Sequence, residues 1–80
     1  MNDLLKNINK IHTTILGEKR IINNLSLTNT NPVEYCKSIV KDNNSRIIVK
    51  GKNYYIKKDD LIITINKYSY SIITAHKKRL

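Results

Sequence analysis

Apolar residues recur along the first half of the chain at spacings of three and four positions, the period of an amphipathic helix. One stripe runs through residues 3–16, and Gly17 stands where a glycine commonly ends a helix. Asn31 followed by Pro32 is typical of a helix start, because asparagine caps the first turn and proline suits its first position. The pattern therefore predicts three helices, over residues 3–16, 18–25 and 32–41.

From residue 45 the apolar period changes to two, which indicates strands. Four strands are predicted, over residues 46–50, 54–57, 61–66 and 69–77. Strands separated by such short turns pair as an antiparallel meander. We therefore expect an α+β fold in which two to three N-terminal helices pack on one face of a four-stranded antiparallel sheet. We expect a single domain over residues 1–80, with its helical part at 1–44 and its sheet at 45–80.

The last hairpin leaves the register of the fourth strand open. The open face is the sheet face that the helices leave uncovered. A two-residue loop after Asn66 turns His76 toward the helices and places on the open face Ser71, Ile73 and Ala75. A three-residue loop instead places on the open face Tyr70, Ile72, Thr74 and His76. One residue of register decides between these arrangements.

The charge of the chain is strongly positive and unevenly placed. Fifteen Lys and Arg against six Asp and Glu give a formal net charge of +9. Residues 46–80 carry nine of these cations and two acids, a balance of +7, whereas residues 1–45 carry six cations and four acids, a balance of +2. A lysine-rich proteome would explain the total net charge better than it explains the uneven distribution of charge between the two halves of the chain. The sheet half is therefore expected to attract phosphates.

Several classes of protein and site are not indicated by the sequence. No apolar run approaches the ~20 residues of a membrane span, and no signal peptide is evident, so no membrane association is expected. The single cysteine, Cys36, lies at a helical core position and is interpreted as a small buried hydrophobe. These features favour a cytoplasmic location. Phosphate-binding glycine loops and zinc-ligand clusters are missing, so no cofactor and no metal are expected.

The residues that could carry chemistry cluster in the predicted last strand. His76 could act as a base or an acid near neutral pH. The candidate catalytic residues of a metal-independent ribonuclease are His76, Tyr70, Thr74 and Lys77. The candidate nucleic-acid-binding residues are Arg46, Lys50, Lys52, Tyr54, Tyr55, Lys78 and Arg79. The other histidine, His12, is interpreted as a boundary residue bonded to a nearby carbonyl.

Two kinds of function fit this pattern. The first is a basic nucleic-acid-binding protein, with RNA the favoured ligand, that also acts as a toxin-type endoribonuclease. The alternative is a non-catalytic binder, or a small inhibitor of a nucleic-acid machine such as phages and mobile elements encode. An acidic protein partner, for example an antitoxin, would also match the charge. A homodimer that covers the sheet face would add core to a chain of this size.

Several phrases resemble a family of short bacterial proteins described as a domain of unknown function. These are His12-Thr13-Thr14-Ile15-Leu16-Gly17, Arg20-Ile21 with Asn24-Leu25, Gly51-Lys52-Asn53-Tyr54-Tyr55, and Ser69 to Lys77. At the level of fold, helices followed by a sheet that ends in a strand with Thr and His are similar to the barnase, EndoU, colicin and RelE group of ribonucleases and toxins. That likeness implies a sheet face that serves as an RNA platform.

Overall fold

The computed structural model describes residues 3–78, in which three helices precede a four-stranded antiparallel sheet. The helices are α1 (Asp3–Lys6), α2 (Ile15–Leu25) and α3 (Pro32–Lys41), and a 3-10 turn, Ile8–Lys10, follows α1. The strands are β1 (Arg46–Lys50), β2 (Asn53–Lys58), β3 (Leu61–Asn66) and β4 (Ile72–Lys77), and they lie side by side in that order. The expected α+β class is confirmed.

The hydrophobic core lies between the helices and one face of the sheet. Within residues 3–78, the largest fully buried side chains come from α1, α3 and the two central strands: Leu4, Cys36, Ile56, Ile63 and Ile65. Burial raises the pKa of the Cys36 thiol to about 12, so this cysteine stays protonated at neutral pH. The interpretation of Cys36 as a small buried hydrophobe is confirmed.

The single helix predicted over residues 3–16 is wrong. The chain instead forms the short helix α1 and the 3-10 turn, and it is extended around His12 before α2 begins. His12 forms a parallel bridge with Ser71, just before β4. Its N–H donates to the carbonyl of Tyr70 at 3.2 Å, and its carbonyl accepts from the N–H of Ile72 at 2.8 Å. This pairing satisfies backbone groups at the sheet edge, and it outweighs a helix propensity that is only a weak local preference.

The start of α2 also differs from the expectation that Gly17 ends a helix. Thr14 is the N-cap of α2, and its hydroxyl accepts a hydrogen bond from the N–H of Gly17 at 3.0 Å. Gly17 therefore lies in the first turn of α2, where a Cβ would overlap the hydroxyl of Thr13. That hydroxyl donates to the carbonyl of Ile72 at 3.4 Å. The glycine thus lets α2 begin close to the segment that pairs with β4.

The register of β4 combines both arrangements that the sequence left open. Thr64 pairs with Thr74 and Ile62 with His76, whereas Ile65 pairs with Ile72, so a β-bulge interrupts the ladder. The bulge adds one residue to β4 and reverses the alternation of its side chains. As a result Ile72 and Ala75 are both buried in the core, whereas Thr74 and His76 are exposed.

An ion pair joins the end of α3 to the sheet. Lys58 Nζ lies 2.7 Å from Asp42 Oδ2, and the backbone N–H of Asn44 donates to Asp42 Oδ1 at 2.8 Å. The hydrogen bond from Lys58, followed by that from Asn44, holds the pKa of Asp42 below its ordinary value of 3.8. The same bond raises the pKa of Lys58 above 10.5. This pair therefore makes folding depend on pH at both extremes.

We expect the contribution of this pair to the free energy of unfolding to be present between pH 3.8 and 10.5. As the pH falls through the folded pKa of Asp42, or rises through that of Lys58, the contribution is lost. Asp42→Asn should lower the free energy of unfolding at neutral pH and weaken its dependence on pH in the acidic range. Urea unfolding over a series of pH values measures both effects. Part of the alkaline dependence should persist, because burial raises the pKa of Tyr54 above 10.0. An unchanged acid dependence in Asp42→Asn would contradict this prediction.

Candidate nucleic-acid interface

The strand register lines up the side chains of the open face in cross-strand rows. In an antiparallel sheet, directly paired residues point to the same face, and neighbouring strands lie about 4.8 Å apart. One hairpin turn sets the β1–β2 register, where Gly51 adopts a φ of +61° that suits glycine. The rows are Arg46–Lys57–Ile62–His76, Ile48–Tyr55–Thr64–Thr74 and Lys50–Asn53–Asn66.

The rows carry cations and no acid. We call the first of them the cationic row, because it holds Arg46 and Lys57, followed by Ile62 and His76. Within residues 3–78, the acids lie on helices, in the Asp59–Asp60 turn, or in the ion pair of Asp42. A surface of one sign with an adjacent aromatic ring is the arrangement by which proteins hold a nucleic-acid strand.

A groove of about 610 Å³ lies on the open face beside the β1–β2 turn. Its lining combines two apolar side chains, three lysines, an asparagine and the turn glycine: Ile48, Tyr55, Lys50, Lys52, Lys57, Asn53 and Gly51. Tyr55 is half-buried, and its hydroxyl lies 3.5 Å from Asn53 Nδ2. An aromatic ring with lysines around it can stack a base while holding its phosphate.

His76 lies at the other end of the cationic row. It is exposed and shares a groove of about 600 Å³ with Lys77, Lys78 and two asparagines of α2, Asn23 and Asn24. The side-chain amide of Asn24 donates to the carbonyl of Ala75 at 3.2 Å and so attaches α2 to β4. Thr74, two residues before His76, points to the same face. The groove is therefore positively charged and opens to solvent.

Two predicted site residues lie away from the open face. Tyr54 is buried on the helix-facing side of the sheet, so its ring cannot stack a base on the open face. Tyr70 is half-buried against the core in a left-handed backbone conformation, at a φ of 61°, with Lys10 Nζ 5.7 Å from its ring centroid. Burial, and then the neighbouring Tyr70 and Asp3, raise the pKa of Tyr54. These two tyrosines therefore belong to the core side of the molecule.

The remaining predicted residues that the structure describes lie at the interface or its margin. The structure brings Arg46, Lys50, Tyr55, Thr74 and His76 to the open face. Lys52 lies in the β1–β2 turn, and Lys77 and Lys78 line the groove beside His76. Arg79 lies outside the described residues. The placement agrees with a binding role for most of the set, and that role stays a prediction.

Sequence reasoning missed three residues of this surface. Lys57 stands two positions after Tyr55, so strand alternation alone could have placed it on the same face. Lys67 and Tyr68 lie in the turn between β3 and β4, where Tyr68 is 70% exposed, with Lys67 Nζ 5.4 Å from its ring centroid. The carbonyl of Lys52 accepts from the N–H of Lys67 at 2.9 Å, so this pair borders the β1–β2 turn. No local pattern signals that contact.

The other histidine is not part of this surface. The Nδ1 atom of His12 lies 2.9 Å from the carbonyl oxygen of Lys10, and the side chain is exposed. The interpretation of His12 as a residue bonded to a nearby carbonyl is confirmed.

Across residues 3–78, no group of three or more His, Cys, Asp and Glu could hold a metal ion. No helix in this range has the length and apolar character that a membrane span requires.

Comparison with known proteins identifies the family of the chain but no individual relative. No curated protein and no solved structure matches the chain. The fold-level likeness to the barnase, EndoU, colicin and RelE group therefore has no support from a solved structure. A family model does match over residues 5–76, nearly the whole chain, and it agrees with the resemblance of the sequence phrases. The chain belongs to the family described as protein of unknown function (DUF3781).

Proposed function

We propose that this protein binds single-stranded nucleic acid, with RNA the favoured ligand, on the open face of its sheet. The observation that carries the proposal is the cationic row, in which Arg46 and Lys57 are paired across two strands, in line with His76 and with no acid among them. Next to it lies the half-buried ring of Tyr55. Backbone phosphates and an unstacked base need these two kinds of group.

In this proposal the two kinds of group divide the work of binding. Arg46 and Lys57 contact phosphates, and Lys50 and Lys52 extend the contact along the β1–β2 groove. A base stacks on Tyr55, with Ile48 beside it on the neighbouring strand. Such contacts follow the backbone and the ring faces of the bases, so binding has little sequence preference.

Salt dependence tests the proposal. Each phosphate contact with a single strand contributes about −0.7 to the slope of log affinity against log salt concentration, so contacts from these four cations predict a slope of about −2.8. Fluorescence anisotropy with labelled single-stranded RNA and DNA of the same sequence, in EDTA, measures this slope. Affinity that does not change with salt would contradict the proposal, and tighter binding of DNA than RNA would contradict the preference for RNA.

A metal-independent endoribonuclease is the second candidate. The observation in its favour is that His76 is exposed on the open face, in one row with Lys57 and Arg46. Acid–base cleavage also needs a second proton-transfer group. Thr74 shares that face with His76, but its aliphatic hydroxyl is a very weak acid. Tyr55, the tyrosine on that face, lies roughly 12 Å away between Cα atoms, from the spacing of strands and residues. The enzyme therefore ranks below the binder.

The same binding mixtures separate the two candidates. RNA that stays intact on a denaturing gel while it is bound supports a non-catalytic binder. Cleavage that persists in EDTA and is lost in His76→Ala, with RNA affinity and circular dichroism unchanged, supports the endoribonuclease. Cleavage that His76→Ala leaves intact would remove His76 from the proposal and would indicate a contaminating nuclease or another site.

A further inference from the structure

The outer edge of β1 is open for pairing with another strand. β1 is the first strand of the sheet, its main neighbour is β2, and four of its five residues are exposed. In a hairpin closed by a two-residue turn, Lys50 and Asn53 form the first hydrogen-bonded pair. The alternation then points the N–H and C=O groups of Ile47 and Val49 away from β2. Within residues 3–78, no other segment donates to or accepts from them.

This edge has few of the features that protect exposed strands from pairing. Its sequence is Arg-Ile-Ile-Val-Lys, with no proline and three consecutive β-branched residues. Ile48 is 42% exposed and Val49 is 55% exposed, on opposite faces of the strand. The two end charges, Arg46 and Lys50, point to the open face with Ile48 between them. The charges therefore decide which strand can pair with this edge.

A second copy of this chain is a poor match for the edge. Antiparallel pairing of all five residues places Arg46 opposite Lys50 of the other copy at both ends, and parallel pairing places each cation opposite itself. Like charges directly opposite one another destabilise a strand pair. Each copy also carries a net charge of +9, which adds long-range repulsion.

We propose that β1 binds an extended acidic segment of another protein, which adds to the sheet as a fifth strand. The matching segment has acidic residues opposite Arg46 and Lys50 and β-branched residues between them. Backbone groups of Ile47 and Val49 provide the main-chain hydrogen bonds, and the two charge pairs select the partner. The strand edge is distinct from the open face, but the two sites share Arg46 and Lys50, so the added strand would neutralise two cations of the proposed nucleic-acid site.

A pair of short capped peptides tests the inference. One has the pattern Glu-Val-Thr-Val-Glu and the other has Lys-Val-Thr-Val-Lys. We expect the acidic peptide to slow hydrogen exchange at the amides of Ile47 and Val49, measured by NMR. The basic peptide should not do so. The double variant Arg46→Glu with Lys50→Glu should reverse the preference, so that the basic peptide binds more tightly than the acidic one. The affinity for each peptide should change by about tenfold, because two cross-strand charge pairs change sign.

A backbone variant provides a test independent of charge. Val49→Pro removes an outward N–H on an edge strand, where proline is tolerated, so the acidic peptide should no longer protect the amide of Ile47, with circular dichroism unchanged. Three results would overturn the inference: protection elsewhere on the sheet, equal binding of both peptides, or amides of Ile47 and Val49 already protected in a dimer seen by sedimentation. If the peptides behave as expected while RNA does not bind, the edge site stands and the proposed function fails.

Discussion

Replacing Arg46 and Lys57 together by glutamate is expected to reduce the affinity for single-stranded RNA by about 100-fold. The two side chains are paired across β1 and β2 in the cationic row, so they would hold neighbouring phosphates. Two charge-assisted hydrogen bonds at about 1.5 kcal/mol each correspond to a change of this size. The double alanine variant should lower the salt slope by about 1.4, since each lost phosphate contact removes about 0.7. Fluorescence anisotropy over a range of salt concentrations measures both quantities.

A matched control separates this site from the overall charge. Lys19→Glu with Lys41→Glu changes the net charge by the same amount, at exposed positions on α2 and α3. We expect this variant to lose several times less affinity than the variant in the cationic row. Equal losses would mean that RNA responds to the total charge of the protein and not to the open face.

Ile63→Ala is expected to lower the free energy of unfolding by about 2–5 kcal/mol. Ile63 has no exposed surface and lies on the helix-facing side of the sheet, paired with Ile56 on one side and Ala75 on the other. The truncated side chain would leave a cavity that the neighbouring strands cannot close without losing their ladder. A domain of this length has a total stability of roughly 4–12 kcal/mol, so the loss is a large share of it.

Urea unfolding measures this effect, and Ile48→Ala is its control. Ile48 is also an isoleucine within a strand, but it is 42% exposed on the open face. Its replacement should shift the free energy by no more than about 0.5 kcal/mol. Similar losses in the two variants would show that the sheet does not bury one face as described, because the burial difference would then have no energetic consequence.

Local patterns in the sequence were sufficient for α3 and for β1, β2 and β3. Asn31 Oδ1 accepts from the N–H groups of Val33 and Glu34 at 2.9 and 3.0 Å, as its place before Pro32 predicts. The hairpin turn at Gly51 and the alternation along β3 are equally local. Each depends on residues no more than a few positions apart, so one sequence contains all the information needed to predict it.

The segment around His12 and the orientation of His76 depend on pairing between residues far apart in the chain. No local pattern in the sequence indicates that pairing. The apolar stripe of residues 3–16 is genuine, but Ile11 is buried and Ile15 is 74% exposed, because the backbone around His12 pairs with β4. The orientation of His76 depends on the bulge opposite Thr64 and Ile65, which alternation cannot reveal. The sequence therefore predicts that the sheet has an open face. Which residues lie on that face depends on the register of the strands.

The bridge between His12 and Ser71 joins segments that stand 59 positions apart in the sequence, as does the hydrogen bond from Thr13 to Ile72. Closing so long a loop costs conformational entropy before the contacts can form. The segment that precedes α2 therefore has no backbone partner, and the groove of Asn23, Asn24 and His76 does not exist, until these distant segments have met. We expect this edge of the sheet to form after the local hairpins of β1, β2 and β3, so substitutions around His12 should speed unfolding more than they slow folding.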